Sequence, residues 1–245
     1  MRSFPKVFAL SLLSVALLAG SAQARTVKGC VIKAKTNCSY KDLRGQKLRG
    51  AVMDRSVLRS INLSKADLRG ADLRYADLRK ADLRGANLQG AKLKGANLAG
   101  AILTKANLTG ANLSKATMTN ADLINATLTS ANLTGARLSY ANLMYATLTE
   151  AILTGATMTY ADLTGANLIN ATLTSANLTY AKLYAADLTS ANLTGARLYA
   201  ANLTSAIVMN ATLANATLTN ATLTNATGCS TVTPNGVLDG RGCAN

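Results

Sequence analysis

The 245-residue chain has no histidine, no tryptophan, a single glutamate (Glu150) and only four cysteines. Those shortages remove most of the groups from which a convergent catalytic site is built. There is no imidazole to serve as general base or metal ligand, and no nucleophile–base pairing or phosphate loop; the aspartates are read as isolated outward groups. A metal site fails on the same count, because Cys30 and Cys38 near one end and Cys229 and Cys243 near the other supply two ligands apiece. The sequence therefore reads as non-catalytic, with no cofactor. Beyond the first 24 residues no apolar run could cross a membrane.

What is present is a repeat. From Lys41 to residue 225 the chain runs in blocks of five without insertion or deletion; ADLRG, ANLTG, ATLTS and AKLYA are examples. Counting from Leu43, every fifth position up to Leu223 is apolar: 37 positions, of which 33 are Leu, three are Met (Met53, Met118, Met158) and one is Val208. Two residues before each of them, from Ala66 to Ala221, stands Ala. On an α-helix five residues turn through about 500°, which scatters the leucines round the axis. On a flat strand an odd period throws successive leucines onto opposite faces. A regularly bending chain escapes both problems, since residues two apart on a short extended segment share a side. The period predicts a solenoid with Ala and Leu inward and a polar corner closed by Gly, Ser, Asn or a larger residue.

The A-[DN]-L-x-x block resembles the pentapeptide-repeat family over 185 of the 245 residues. The resemblance implies an all-β fold: a right-handed quadrilateral parallel β-helix in which four blocks make one coil and residues n and n+20 stack. The 37 blocks then make about nine coils, a rod roughly 44 Å long at an inter-coil spacing of about 4.8 Å. Backbone groups are expected to pair with the coils above and below, and outward Asn and Thr to add side-chain ladders. Met118 and Met158, two coils apart on one side, read as gap-filling core. The best-known members of the family are acidic cytoplasmic DNA mimics that bind and protect type II topoisomerases. This chain is basic and begins with an export signal, so that activity is not carried over.

Residues 1–24 have the pattern of a secretory signal peptide: Arg2 and Lys6, an apolar run from Val7 to Ala19, and Ala22-Gln23-Ala24 at the cleavage site. Ser21 stands where a lipoprotein signal needs cysteine. The expected destination is the periplasm, with the medium or a thylakoid lumen as alternatives. Four cysteines suit such a compartment. Given the rod, the two cysteine pairs lie at opposite ends, too far apart to cross-link, so Cys30–Cys38 and Cys229–Cys243 disulfides are expected. Residues 25–40 read as an N-terminal cap with Val31-Ile32 covering one end, 41–225 as the β-helix, and 226–245 as a C-terminal cap. Solenoid ends need such cover. The blocks from 46 to 65 (QKLRG, AVMDR, SVLRS, INLSK) are the least regular and read as a transitional first coil.

The exterior is uneven. Residues 25–94 hold 18 Lys or Arg and 6 Asp, a net +12, whereas residues 95–245 hold six basic and five acidic residues, a net +1. Wound on a 20-residue coil, the arginines fall on all four faces as a collar. Arg69, Arg74, Arg79 and Arg84 are the candidate anion-binding residues, and part of the collar is internally paired because Asp67, Asp72, Asp77 and Asp82 stand two residues before them. Nucleic acid is the weaker partner class, since only Tyr75 could stack a base there. Tyr140, Tyr160 and Tyr180 are 20 apart and should stack at one corner, with Tyr145, Tyr184 and Tyr199 on adjoining faces; they form a candidate partner-binding strip or a stabilising ladder. Thr pairs such as Thr127/Thr129 resemble ice-binding rows, but Asn167 and Ile169 break the row. The stretch LINATLTSANLT occurs at 123–134 and again at 168–179, nine blocks on, which moves the copy one face round the coil. Length and fold are thus expected to matter more than one face in the C-terminal half. The sequence points to an exported structural or binding scaffold; an anion-binding envelope protein using the collar and a partner-binding inhibitor using the tyrosine strip are the alternatives.

Overall fold

A computed structural model describes residues 24–228 and the backbone of 232–233 and 236–237. Parallel bridges link each residue before an inward position with the residue 20 further on, from Asn37↔Val57 through to Ile207↔Thr227. Four five-residue blocks therefore close one coil, and the protein is a right-handed quadrilateral β-helix. Bridging already includes the block Thr36–Tyr40, where Cys38 stands in the inward leucine register.

Beyond the first coil, where Asp or Asn precedes the inward leucine, a block uses all five of its backbone donors. In the block Ala66–Gly70, the Ala66 N–H donates to Leu63 O at 3.0 Å and closes the preceding turn. The Asp67 N–H donates back to Gln46 O at 2.9 Å, while the Leu68 and Gly70 N–H groups donate forward to Asn87 O at 2.7 Å and Gln89 O at 2.9 Å. The fifth donor, the Arg69 N–H, is taken by the Asp67 side chain, Oδ1 accepting at 3.3 Å. Asp and Asn before the leucine are thus turn caps. The corner residue has positive φ, 63° at Gly70, as turns of type II require at their third position. Larger residues adopt it too, Lys80 at 56° and Tyr160 at 59°, against the steric preference of L-residues.

Two of every five residues are used in the turn, so the sides are single-residue bridges. Among the described residues the named strands form two antiparallel hairpins. One joins β1 (Arg25–Val27) to β2 (Cys30–Ile32), and the other joins β3 (Val232–Thr233) to β4 (Gly236–Val237).

The core is a column of Ala and Leu. From Leu43 to Leu203 every inward Leu is fully buried, as are Met53, Met118 and Met158. Each buried Leu contributes about 1.5–3 kcal/mol before chain entropy is set against it. At the start, β2 lies on this column with Cys30 and Ile32 buried, and a Cys30–Cys38 disulfide with 5.3 Å between Cα atoms ties the hairpin to the first coil. Ser56, buried in an Ala position, accepts from the Thr36 N–H at 3.2 Å and donates to Lys33 O at 3.3 Å, so the irregular block there anchors the cap segment. Toward the other end, Leu218, Ala221 and Leu223 are only partly buried. The leader and the Cys229–Cys243 pair lie outside the described residues.

Candidate functional site

Residues before and after an inward leucine both point outward, side by side. The repeat therefore sets Asp against the Arg two places on. Arg69, Arg74, Arg79 and Arg84 each donate from Nε and Nη2 to the two carboxylate oxygens of Asp67, Asp72, Asp77 and Asp82, at 2.6–2.9 Å. Asp77 also accepts from Arg59, and Arg44 reaches Asp42 at 3.4 Å. These four aspartates are thus paired with their arginines, as their spacing predicts, rather than isolated; what the spacing does not give is that each also caps its own turn. The side-chain hydrogen bonds from Arg69 hold the Asp67 carboxyl down at about 2, against a smaller opposing effect of burial. Asp72, Asp77 and Asp82 are likewise below the usual carboxylate range, first through their arginines' side-chain hydrogen bonds. The four collar arginines keep about half their side-chain surface exposed, but the forked hydrogen-bonding edge is occupied.

Cations without an ion pair gather elsewhere. Where the β1–β2 hairpin meets the first coil, a cleft of about 520 Å³ is lined by Arg25, Lys33, Lys47 and Arg49 above Ile32, Ala34, Gly50, Ala51 and Val52. No acidic residue lines it, and none of the four cations has a carboxylate within ion-pair distance among the described residues. Sequence reasoning missed this cleft because Arg25 and Lys33 precede the repeat, where the 20-residue offset predicts no neighbours. A smaller cleft of about 250 Å³ lies between Tyr40, Arg59, Ser60, Arg79 and Lys80.

The tyrosine corner is a stack. Tyr140 and Tyr160 have ring centroids 5.1 Å apart at an interplanar angle of 4°, and Tyr160 and Tyr180 are 4.8 Å apart at 5°. Tyr199 continues the strip edge-on to Tyr180 at 5.6 Å and accepts a hydrogen bond from Asn220 Nδ2 at 3.2 Å. The Tyr180 hydroxyl is pushed up, first by the Tyr199 hydroxyl and then by burial. The four tyrosines remain 36–58% exposed. Tyr145 stands at the next corner instead. Its ring covers Gly165, so close that a Cβ there would lie 2.6 Å from the ring.

The expected Asn and Thr ladders between coils are replaced by bonds within blocks. Asn132 Oδ1 accepts from the Thr134 N–H at 2.9 Å, and Asn192 accepts from Thr194 at 3.0 Å, because the turn leaves that N–H without a backbone acceptor. Cross-coil side-chain bonds are scattered, such as Thr104 to Asp122 and Thr149 to Asn167, both at 3.1 Å. Among the described residues no group of three His, Cys, Asp or Glu could hold a metal ion, and no helix is long and apolar enough to cross a membrane.

Comparison with known proteins follows this geometry. A sequence profile described as pentapeptide repeats matches overlapping segments that run from residue 36 to residue 227. No curated protein matches the sequence. Among solved structures, HetL of the cyanobacterium Nostoc sp., a pentapeptide repeat protein involved in heterocyst differentiation regulation, is 37% identical with a TM-score of 0.82, covering 84% of this chain and 92% of its own. A pentapeptide repeat protein of the Arabidopsis thaliana thylakoid lumen is 34% identical over 44% of this chain and 68% of its own, with a TM-score of 0.37. The plasmid-mediated fluoroquinolone resistance protein QnrB1 is 19% identical over 79% of this chain and 93% of its own, with a TM-score of 0.40. Those two lower scores carry no argument about this chain. Period, bridge register, the profile match and the likeness to HetL agree: the chain belongs to the pentapeptide-repeat family.

Proposed function

We propose that this protein is an exported, non-catalytic scaffold whose rigid β-helix presents its outer surface to a protein partner. The observation that carries the reading is the division of labour within each block. Ala and Leu fill the interior, the backbone bonds of neighbouring coils hold the sides, Asp or Asn before Leu caps the turn where it occurs, and what remains free to vary faces outward. A surface held this way binds without reorganising. Export is supported by the leader pattern of Arg2, Lys6, Val7–Ala19 and Ala22-Gln23-Ala24 and by the Cys30–Cys38 disulfide. The periplasm is the proposed compartment, with the medium or a thylakoid lumen as alternatives. Fractionation of the producing cells with N-terminal sequencing tests this: the expected product starts at Arg25 outside the cytoplasm, and an intact leader on a cytoplasmic protein would refute it.

Tyr140, Tyr160 and Tyr180 are the favoured contact surface, because their stacked and exposed rings offer area at little entropy cost. Capture of a defined protein from envelope or secreted fractions at high salt, lost on replacing all three by Ala, is the expected result. The alternative is an acidic envelope polymer bound by Arg69, Arg74, Arg79 and Arg84. It has weaker support, since each guanidinium is already held by its own aspartate. It requires capture only at low salt, lost when the four arginines become Gln.

A further inference from the structure

We infer that the cleft between the β1–β2 hairpin and the first coil is a binding site for a single-chain amphiphilic anion, an acyl or alkyl chain ending in a carboxylate or phosphate. Three independent features of the same place carry this. The first is charge: Arg25, Lys33, Lys47 and Arg49 rim the cleft, and among the described residues no acid lines it and no rim cation is ion-paired. The nearby Asp67 does feel Arg49, but its two oxygens are taken by Arg69.

The second is unused backbone. In later coils the N–H of the residue before each inward leucine points toward the N-terminal end and donates to the coil before; Asp67 donates to Gln46 O and Asp72 to Ala51 O, both at 2.9 Å. In the first coil the equivalent N–H groups are those of Asn37, Asp42, Lys47 and Val52; the last two are in the cleft lining, and neither has a hydrogen-bond partner among the described residues. The Lys47 carbonyl is already taken by the Arg25 guanidinium. The open edge therefore offers two donors to an anion, beside the carbonyls of Arg49 and Val52, which stand where those of Arg69 and Asp72 accept from the coil before.

The third is the floor. Ile32, Ala34, Ala51 and Val52 are apolar, and Val52 is 40% exposed, an apolar side chain left to solvent beside four cations. A bare inorganic anion leaves that floor wet, and a neutral chain leaves the rim unsatisfied; an ion with an apolar tail matches both. The volume of about 520 Å³ lies within the ordinary range for small-ligand sites. The proposed cut after Ala24 would place the chain's own α-ammonium at Arg25, adding a positive charge at this rim.

The test is calorimetric titration of the purified protein, its N-terminus established by intact mass, with dodecyl phosphate and dodecanoate below their micelle concentrations. Inorganic phosphate and dodecyl maltoside serve as single-feature probes. Both amphiphilic anions are expected to bind. Losing rim charge in Lys33→Gln/Arg49→Gln should weaken them by about tenfold or more, and Val52→Asn should weaken them without altering thermal stability. Lys92→Gln/Lys94→Gln, which removes the same charge elsewhere, should leave affinity unchanged. Inorganic phosphate binding as tightly as dodecyl phosphate, full affinity in the rim variant, or equal loss in the Lys92/Lys94 control would overturn the site. So would absence of binding together with cross-linking of residues before Arg25 into the cleft, which would make the leader its occupant. Because intact mass reports processing separately, failure of the export proposal is distinguishable from failure of the site.

Discussion

Residues 41–94 and residues 95–225 build the same interior and opposite exteriors. In both, the inward Ala and Leu are buried, except in the last coil, where Leu218, Ala221 and Leu223 are partly so, yet the first region is ringed with Arg and Lys and the second with Thr, Asn and Tyr. The comparison shows what the repeat demands. The residue before Leu caps the turn where it is Asp or Asn, and Asp72 and Asn192 do so alike, accepting from the N–H two places on at 3.3 and 3.0 Å, while Ile102 and Ile152 hold the same place in the coil without a cap. What distinguishes them is the next outward residue. Asp72 is followed by Arg74, which occupies its charge, and Asn192 by Thr194. Charge on this rod is decoration laid over an unchanged hydrogen-bond pattern.

If the interiors are equivalent, Leu83→Ala and Leu163→Ala should lose similar stability, about 2–5 kcal/mol each, in urea denaturation. A much larger loss in one region would break the equivalence. The ends differ more. Replacing both Cys30 and Cys38 by Ala should cost about 2–4 kcal/mol. Hydrogen exchange should show the loss in the bridges around 37–57, while amides beyond residue 95 keep their protection. Uniform loss along the rod would mean that the coils unfold as one unit.

The tyrosine corner sharpens the contrast between strain and stacking. Tyr160→Ala removes two stacked neighbours from a position at φ 59° and should cost about 1–3 kcal/mol. Tyr160→Gly should fall short of that cost, because glycine adopts this backbone freely. Equal losses would show that the left-handed corner stores no strain. A similar comparison separates two glycines. Gly155→Ala meets nothing within 4 Å, whereas Gly165→Ala meets the Tyr145 ring at 2.6 Å. Gly165→Ala should be worse by about 1 kcal/mol, and adding Tyr145→Ala should bring it back to the Gly155→Ala value.

The smallest effect is acid sensitivity. Asp67 is held at about 2 and its three counterparts are also depressed, so as pH falls the unfolded chain takes up protons first. Stability from these pairs is fully present above the unfolded value of about 3.9 and is lost as pH drops toward about 2. Solvent screening keeps it small. Thermal unfolding followed from pH 6 to 2 should be flat above about pH 5 and then decline. Replacing Asp67, Asp72, Asp77 and Asp82 by Asn keeps the caps and should soften the decline.

Much of this was legible in advance from particular residues. Tyr140, Tyr160 and Tyr180 stack because the spacing of 20 places them on one corner, and Met118 and Met158 are core because they stand in the leucine register. The spacing set Tyr145 at an adjoining corner, but that its ring lies over Gly165 was not legible, since this depends on the absence of a side chain one coil away. The cleft was invisible for a related reason: a hairpin outside the repeat forms half of it.

The sequence by itself determined the solenoid, its inward face and the order of side chains along each corner. A period of five with Ala and Leu two apart can be buried in no regular helix or flat strand. Only the tertiary structure decided how the outward groups are used. Whether Asp or Asn also caps its turn depends on which N–H the corner leaves without an acceptor. That is set when the left-handed corner closes four blocks into one coil and brings residues 20 apart into register.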